Sequence, residues 1–130
     1  MAVGHGVAVA VGMDVGGENR SVRAWWSTDG RTWAQATGDR FADGQAFGVA
    51  STPAGFLATG PSGEPSCRGG IWASTDGRAW RCVASDPPFE GFSPYAAAAS
   101  SSLEVAVGLN SNAPDSGAGA PGAVWRRPLP

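Results

Sequence analysis

Short stretches of the chain alternate between large apolar residues and small or polar ones. Residues 7–11 read Val-Ala-Val-Ala-Val, and residues 103–107 read Leu-Glu-Val-Ala-Val. Alternation with a period of two is typical of β-strands that bury one face, and no segment shows the apolar spacing of an amphipathic helix. The pattern therefore predicts an all-β chain.

The sequence repeats itself at a nearly constant interval. Residues 27–33 read Ser-Thr-Asp-Gly-Arg-Thr-Trp, and residues 74–80, 47 positions later, read Ser-Thr-Asp-Gly-Arg-Ala-Trp. A second register agrees, because residues 10–12, 58–60 and 106–108 read Ala-Val-Gly, Ala-Thr-Gly and Ala-Val-Gly at intervals of 48. A period of about 40–50 residues is typical of propeller blades and related arrays. The repeat occurs three times.

Each repeat predicts an antiparallel meander of four strands, a to d. In the second repeat the predicted strands are 47–51 (a), 55–60 (b), 70–74 (c) and 80–84 (d). Applied to the whole chain, this prediction gives strands b, c and d in the first repeat, a to d in the second, and a, b and c in the third. The total is ten strands. The three units are expected at about 1–36, 45–84 and 93–130, the last of them incomplete.

The predicted connections differ in length according to their place in the meander. The a–b and c–d connections are short, whereas the b–c connections (13–23, 61–68, 109–122) and the d–a connections (36–46, 85–94) are long. In an up-and-down meander, all the long connections leave the sheet at one end. Because binding residues favour loops on a rigid scaffold, we expect a ligand there, near Arg20, Arg23, Arg40 and Arg68.

The repeated Ser-Thr-Asp-Gly segment fits a tight c–d turn. Its serine hydroxyl can cap the turn, its aspartate can accept backbone N–H groups, and its glycine permits a positive φ. The tryptophan that follows is expected to open strand d and to cover the base of the hairpin. We interpret the following residues as structural: Ser27, Asp29, Gly30, Trp33, Ser74, Asp76, Gly77 and Trp80.

These two segments resemble the Asp-box, or BNR repeat, of sialidase-type β-propellers. The family consensus reads Ser-x-Asp-x-Gly-x-Thr-Trp, and both copies here lack the residue between Asp and Gly. The resemblance implies β-propeller blades, each a four-stranded antiparallel meander, in an incomplete ring of about two and a half to three blades. It also implies a bacterial protein that is extracellular or at the cell surface.

A sialidase site needs three arginines, a tyrosine nucleophile activated by a glutamate, and an aspartate acid/base. Tyr95 is the only tyrosine, its nearest glutamates are Glu90 and Glu104, and the family's Phe-Arg-Ile-Pro motif does not occur. We therefore expect no catalytic residues and no cofactor, in a repeat module that binds a glycan or a protein. The alternative is a fragment of an exo-sialidase-type glycoside hydrolase with its catalytic residues outside this chain.

The remaining polar groups form no recognised site in the sequence. His5 is expected to be an exposed terminal residue, and neither Asp14 nor Asn110 lies in the spacing of a calcium loop. Cys67 and Cys82 are either a disulfide or two free thiols. A disulfide would argue for export.

Charge and hydropathy exclude several classes of partner. The chain has nine basic residues, all arginine, against 11 acidic ones, and the net charge of −2 disfavours nucleic-acid binding. No apolar run approaches the ~18 residues of a membrane span, and residues 1–12 lack the pattern of a signal peptide. Stacked repeats bury their faces only against neighbours, so we expect either self-association, for example a ring of two chains, or further blades.

Overall fold

The computed structural model describes residues 1–14, 16, 21–38, 44–62, 67–83, 91–110 and 122–130. The described strands form three sheets. Sheet I contains β1 (Ala2–Gly4), β2 (Val7–Asp14), β3 (Ser21–Ser27) and β4 (Ala34–Gln35). Sheet II contains β5 (Thr37–Gly38), β6 (Gly48–Thr52), β7 (Gly55–Thr59), β8 (Ile71–Ser74) and β9 (Ala79–Cys82). Sheet III contains β10 (Phe92–Ala99), β11 (Leu103–Asn110) and β12 (Gly122–Pro128).

The all-β prediction is confirmed, and each sheet is an antiparallel meander in which strands adjacent in sequence are adjacent in space. One short pairing departs from this rule, because β5 runs parallel to β9 at the edge of sheet II. The Thr37 amide donates to the carbonyl oxygen of Arg78 at 2.9 Å. After sheet I, the chain therefore forms hydrogen bonds with the edge of sheet II before β6 begins.

The prediction of ten strands was wrong, since the described residues contain twelve. Sheet I was expected to have only strands b, c and d, but Ala2–Gly4 supplies the missing first strand. It is joined to β2 by a two-residue hairpin in which His5 has φ 52° and Gly6 has φ 76°. Positive φ at both central residues matches the right-handed twist of a β-hairpin. The Gly-His-Gly sequence carried this turn signal.

The strands of sheet II lie close to their predicted positions. They occupy Gly48–Thr52, Gly55–Thr59, Ile71–Ser74 and Ala79–Cys82, so each boundary moves by no more than two residues from the expected one. All five residues of β7 are buried, because this strand has a neighbouring sheet on both of its faces.

Sheet II lies between the other two sheets, and a hydrophobic cluster fills each gap. The first cluster joins sheets I and II and includes Val7, Val9, Val22, Ala24, Phe56, Ala58, Trp72 and Trp80. The second cluster joins sheets II and III and includes Leu57, Ile71, Ala73, Phe92, Ala106 and Trp125. Along the strands of sheet II, alternate residues therefore pack against sheet I and against sheet III.

The two faces of a sheet have distinct compositions that recur in all three sheets. We call one the tryptophan face; it carries Ala10 and Trp25 in sheet I, Ala58 and Trp72 in sheet II, and Ala106 and Trp125 in sheet III. We call the other the aliphatic face; it carries Val9, Val11 and Ala24 in sheet I, Leu57, Ile71 and Ala73 in sheet II, and Val105, Val107 and Val124 in sheet III, with Trp26 opposite Val9 and Arg126 opposite Val105. Residues directly opposite each other on paired strands share a face.

The two ends of the stack also differ. One end, the turn end, carries the hairpins 5–6, 53–54 and 100–102 together with the c–d turns 28–33 and 75–78. The imidazole Nε2 of His5 lies 2.8 Å from the carbonyl oxygen of Thr52, which fixes two of these hairpins side by side. The b–c and d–a connections leave the sheets at the opposite end, the loop end.

Close backbone packing explains the glycine in two of the three repeated Ala-x-Gly segments. A Cβ at Gly60 would lie 1.7 Å from the Gln45 carbonyl oxygen, and one at Gly108 would lie 2.1 Å from the Ser93 carbonyl oxygen. No side chain fits at such distances, so glycine is required where the chain entering strand a crosses strand b. At Gly12 a Cβ would meet only the Trp25 ring, at 3.7 Å.

Candidate functional site

We call the repeated c–d turns at 27–33 and 74–80 the first and second Asp turns. The first is closed by two side chains, Ser27 and Asp29. The Ser27 hydroxyl accepts the Gly30 amide at 2.9 Å and donates to Asp29 Oδ1 at 3.0 Å. The same Oδ1 accepts the amides of Arg31 and Thr32, both at 2.8 Å. Gly30 has φ 70°, which an L-residue rarely adopts. The side chains replace the ladder hydrogen bonds that the tight turn cannot make.

The second Asp turn repeats this network. Ser74 Oγ accepts the Gly77 amide at 2.8 Å, and Asp76 Oδ1 accepts the amides of Arg78 at 2.8 Å and Ala79 at 3.2 Å. One bond is additional, because the Trp80 indole Nε1 donates to the Gly77 carbonyl oxygen at 3.2 Å. This turn is thereby bonded to the strand that follows it.

Both aspartates are held in the ionised form by these bonds. The backbone N–H groups of Thr32 and Arg31 lower the pKa of Asp29 to about 2, and the backbone N–H of Arg78 lowers the pKa of Asp76. A carboxylate that accepts several backbone N–H bonds is stabilised as the anion. These carboxylates act as fixed acceptors within their own turns.

The two tryptophans after the turns differ in position. Trp80 lies in β9 and is 3% exposed, within the cluster between sheets I and II. Trp33 was expected to open a strand, but it precedes β4 and is 38% exposed. In the described part of the chain no sheet packs on the tryptophan face of sheet I, so Trp33 has no neighbouring sheet to cover.

The arginines expected near the ligand lie partly within the described residues. Arg23 is on β3, and its guanidinium lies 3.2 Å from the Asp14 carboxylate. This ion pair and the Gly16 amide bond lower the pKa of Asp14, with the Gly16 N–H making the larger contribution. Arg68 lies between β7 and β8 at the loop end and is half-buried. Arg20 and Arg40 lie outside the described residues.

Cys67 and Cys82 form a disulfide bond, with their Cα atoms 5.7 Å apart. Cys67 is fully buried at the loop end, and Cys82 is the last residue of β9. The bond therefore ties the connection before β8 to the outer strand of the same sheet. It encloses a 15-residue separation that contains the second Asp turn.

The only tyrosine stands apart from its nearest described glutamate. Tyr95 is 48% exposed and stacks on Phe47, with the two ring centroids 5.5 Å apart. Glu104 pairs with Ala99 in the β10–β11 register, about four residues along the strand, or ~13 Å, from Tyr95. Glu104 is therefore not placed to activate Tyr95. Glu90 lies outside the described residues.

Glu104 was considered only as a glutamate near Tyr95 in the sequence, but its carboxylate is the one buried acidic group of the described residues, at 1% exposure. Arg127 neutralises it, with Nε 2.7 Å from Glu104 Oε2. Glu104 occupies the position of Phe56 in sheet II, one of the alternate residues on the tryptophan face. The available signal in the sequence was the position of this glutamate among the apolar residues 103–107.

A small cleft opens beside this ion pair at the turn end, between sheets II and III. Its volume is about 70 Å³, which is small compared with the ~300–1,000 Å³ of a typical ligand pocket. It is lined by Thr52, Ala54, Phe56, Ala73, Ser74, Thr75, Arg81, Glu104 and Arg127. The cleft can admit a few water molecules or the end of a side chain.

The other polar residues considered in the sequence lie in a hairpin or on strands. His5 is exposed as expected, but it belongs to a hairpin and also contacts the Phe56 ring edge-on, with centroids 5.7 Å apart. Asn110 was expected in a b–c connection, but it is the last residue of strand β11. Among the described residues, no group of three or more His, Cys, Asp and Glu side chains could hold a metal ion. The same residues contain no helix with the length and apolarity to cross a membrane.

The described functional groups thus divide between the two ends of the stack. The Asp turns, His5 and the Glu104–Arg127 pair lie at the turn end, whereas Arg68 and the Arg23–Asp14 pair lie toward the loop end. No protein-family model matches the chain, and no curated protein or solved structure matches it either.

Proposed function

We propose that the chain is a non-catalytic repeat module of a bacterial, sialidase-like Asp-box β-propeller protein, and that it binds a glycan or a protein at the loop end. The observation that carries the proposal is the repetition of structure. Two Asp turns with the same hydrogen bonds close the outer hairpins of two stacked antiparallel meanders, and a third meander stacks in the same order.

The division between the two ends supports binding at the loop end. The turn end is occupied by tight, internally bonded turns whose carboxylates are already engaged by backbone N–H groups. The loop end carries the longer connections, and Arg68 is positioned there next to the buried Cys67 of the disulfide. Loops on a rigid scaffold are the usual place for binding residues.

The disulfide also supports an extracellular or cell-surface location. Disulfides persist in oxidising compartments and are rare in the cytosol. The separation of Tyr95 from Glu104 argues against these two residues acting together as nucleophile and activating base. A hydrolytic function would need catalytic residues other than this pair.

The direct test is binding of the purified chain to a glycan array that includes sialosides. Arg68→Ala at the loop end should abolish binding of the retained glycan. Arg81→Ala is the matched control, because Arg81 is exposed on β9 and lines the cleft at the turn end. Equal loss with both arginine variants would contradict the loop-end assignment. Hydrolysis of a fluorogenic sialoside by the chain alone would contradict the non-catalytic assignment.

A further inference from the structure

The two interfaces within the chain use the same pair of faces. The aliphatic face of sheet I packs on the tryptophan face of sheet II, and the aliphatic face of sheet II packs on the tryptophan face of sheet III. Each interface places a pair such as Val9 and Ala24, or Leu57 and Ile71, against a buried tryptophan and alanine of the next sheet. The faces are therefore complementary in a fixed, directional order.

Among the described residues, no sheet packs on the tryptophan face of sheet I. Its Trp33 is 38% exposed and its Trp25 is partly exposed, whereas the equivalent Trp80 and Trp72 of sheet II are 3% and 0% exposed. The glycines of the two Asp turns differ in the same way, because only the one in sheet II has a neighbouring sheet beside it. A Cβ at Gly77 would lie 2.6 Å from Val9 Cγ2 of the neighbouring sheet, whereas a Cβ at Gly30 would have no atom within 4 Å.

No described sheet covers the aliphatic face of sheet III either. Val107, Leu109 and Val124 are 46%, 40% and 63% exposed. The residues of sheet II equivalent to Val107 and Val124 are Thr59 and Ile71, and both are fully buried against sheet III. Contiguous exposed aliphatic residues on one sheet face mark an interaction surface.

We propose that the uncovered aliphatic face of sheet III in one copy of the chain packs on the uncovered tryptophan face of sheet I in a second copy. The argument for this occupant is continuity with the established interfaces. Each uncovered face is the same kind of face that is already matched twice inside the chain, and the two uncovered faces are of opposite kinds. In this contact, Val105 of one copy would lie against the first Asp turn, at Gly30, of the other copy. Within the chain, the equivalent Val9 lies against Gly77 of the second Asp turn.

This contact is heterologous, because it joins two different surfaces. A head-to-tail contact generates a closed ring if the rotation between copies closes, and an open chain of copies if it does not. Either assembly satisfies the proposal. A dimer through two aliphatic faces would be isologous and would not satisfy it.

One pair of like charges opposes the contact, and changing the salt concentration or these charges therefore tests it. Within the chain, the Arg78 guanidinium lies over the Trp26 ring, 4.3 Å from its centroid. The equivalent positions in the proposed contact are Arg31 of one copy and Arg126 of the other, which carry like charges. Raising the salt concentration should therefore strengthen association, by screening this repulsion.

The decisive experiment is complementation between two variants. Val107→Asp disrupts only the aliphatic face, and Ala10→Asp disrupts only the tryptophan face. Sedimentation across a concentration series should show association of the unaltered chain, and each variant alone should associate at least ~100-fold more weakly. An equimolar mixture should form a 1:1 complex, because each variant retains the face that the other lacks. Ser101→Asp, in an exposed hairpin at the turn end, is the matched control and should associate normally.

Three results would overturn the proposal. These are a folded unaltered chain that remains monomeric throughout the series, a mixture of the two variants that remains monomeric, and a single variant that still self-associates like the control. Far-ultraviolet circular dichroism of each variant establishes that the fold is retained. Because both substitutions introduce aspartate, charge attraction cannot produce the complex in the mixture.

A gain in affinity provides an independent check. Arg126→Glu should strengthen association about tenfold, since a carboxylate would then face Arg31. Adding Arg31→Glu to that variant should cancel the gain by restoring like charges. No gain with Arg126→Glu would place Arg126 away from Arg31 and would overturn the proposed register.

Discussion

The two Asp turns of the chain have nearly the same sequence and the same internal hydrogen bonds, yet they lie in different surroundings. In both turns a serine hydroxyl accepts the glycine amide, and an aspartate oxygen accepts two amides that follow. The turn at 74–80 packs against sheet I, so that Gly77 is buried and Trp80 is 3% exposed. The turn at 27–33 faces none of the described sheets, and Trp33 is 38% exposed.

The comparison separates two contributions that the motif combines. The hydrogen-bond network is local and forms wherever the Ser-Thr-Asp-Gly sequence occurs, because all its donors and acceptors lie within six residues. Burial of the tryptophan depends on a neighbouring sheet and differs between the copies. The motif thus specifies a turn in every repeat but contributes to the core only where sheets stack.

The largest expected difference between the two turns is in the tryptophans. Trp80→Ala should lower the free energy of unfolding by about 3–5 kcal/mol, because it removes a buried indole from the cluster between sheets I and II. Trp33→Ala should cost about 1 kcal/mol or less. Urea unfolding at low chain concentration measures both values, since association would also bury Trp33. Equal costs would mean that the two turns have the same surroundings.

The disulfide provides the next largest contrast, because only the second turn is enclosed by one. Cys82 has Gln35 as its counterpart in sheet I, by the same interval that relates Trp80 to Trp33. The double substitution Cys67→Ala and Cys82→Ala should cost about 3 kcal/mol, the value expected for a closed loop of this length. Unfolding with and without a reductant checks the result. The unaltered chain should respond to the reductant, and the double variant should not.

The glycines at the two turns should also respond differently. Both have φ values of 70–76°, which asparagine tolerates better than other L-residues. Gly77→Asn should cost about 1–3 kcal/mol, because its Cβ would lie 2.6 Å from Val9 Cγ2. Gly30→Asn should cost less than about 1 kcal/mol, because its Cβ meets nothing. A larger cost at Gly30 than at Gly77 would contradict the packing of the second turn on sheet I.

What the sequence could predict follows the same division between local and neighbour-dependent structure. Period-two alternation and the Ser-Asp-Gly segments predicted the strands of sheet II and their turns, since both signals are local. The position of Trp33 outside a strand and the burial of Glu104 depend on which sheets are neighbours. Strand β1 was missed because it is only three residues long and its turn signal, at His5, was read as a chain terminus.

The candidate site was predictable only in part, for a related reason. Residue types alone indicated that Ser27 and Asp29 serve a turn, because the chemistry of such turns is local. Pairing of Arg127 with Glu104 required the register of β11 and β12, which places these residues directly opposite each other. A single sequence does not specify which residues of two strands oppose one another.

The smallest expected effect is the response of the first turn to acid. The pKa of Asp29 is about 2 in the folded chain because backbone N–H groups stabilise its carboxylate, against an ordinary value of 3.8. A group whose pKa is lowered by folding contributes stability that is fully present above its unfolded pKa. That contribution is lost as the pH falls from about 4 through about 2, when the folded carboxylate takes up its proton.

Asp29→Asn isolates this contribution, since asparagine retains a carbonyl acceptor but carries no charge. The unaltered chain should be more stable than the variant at neutral pH, and the difference in urea midpoint should shrink as the pH falls through about 2. Asp76→Asn is the companion variant and should behave in the same direction, because the Arg78 amide also lowers the pKa of Asp76. A difference that stays constant with pH would show that Asp29 holds the turn by its hydrogen bonds alone, without a contribution from its charge.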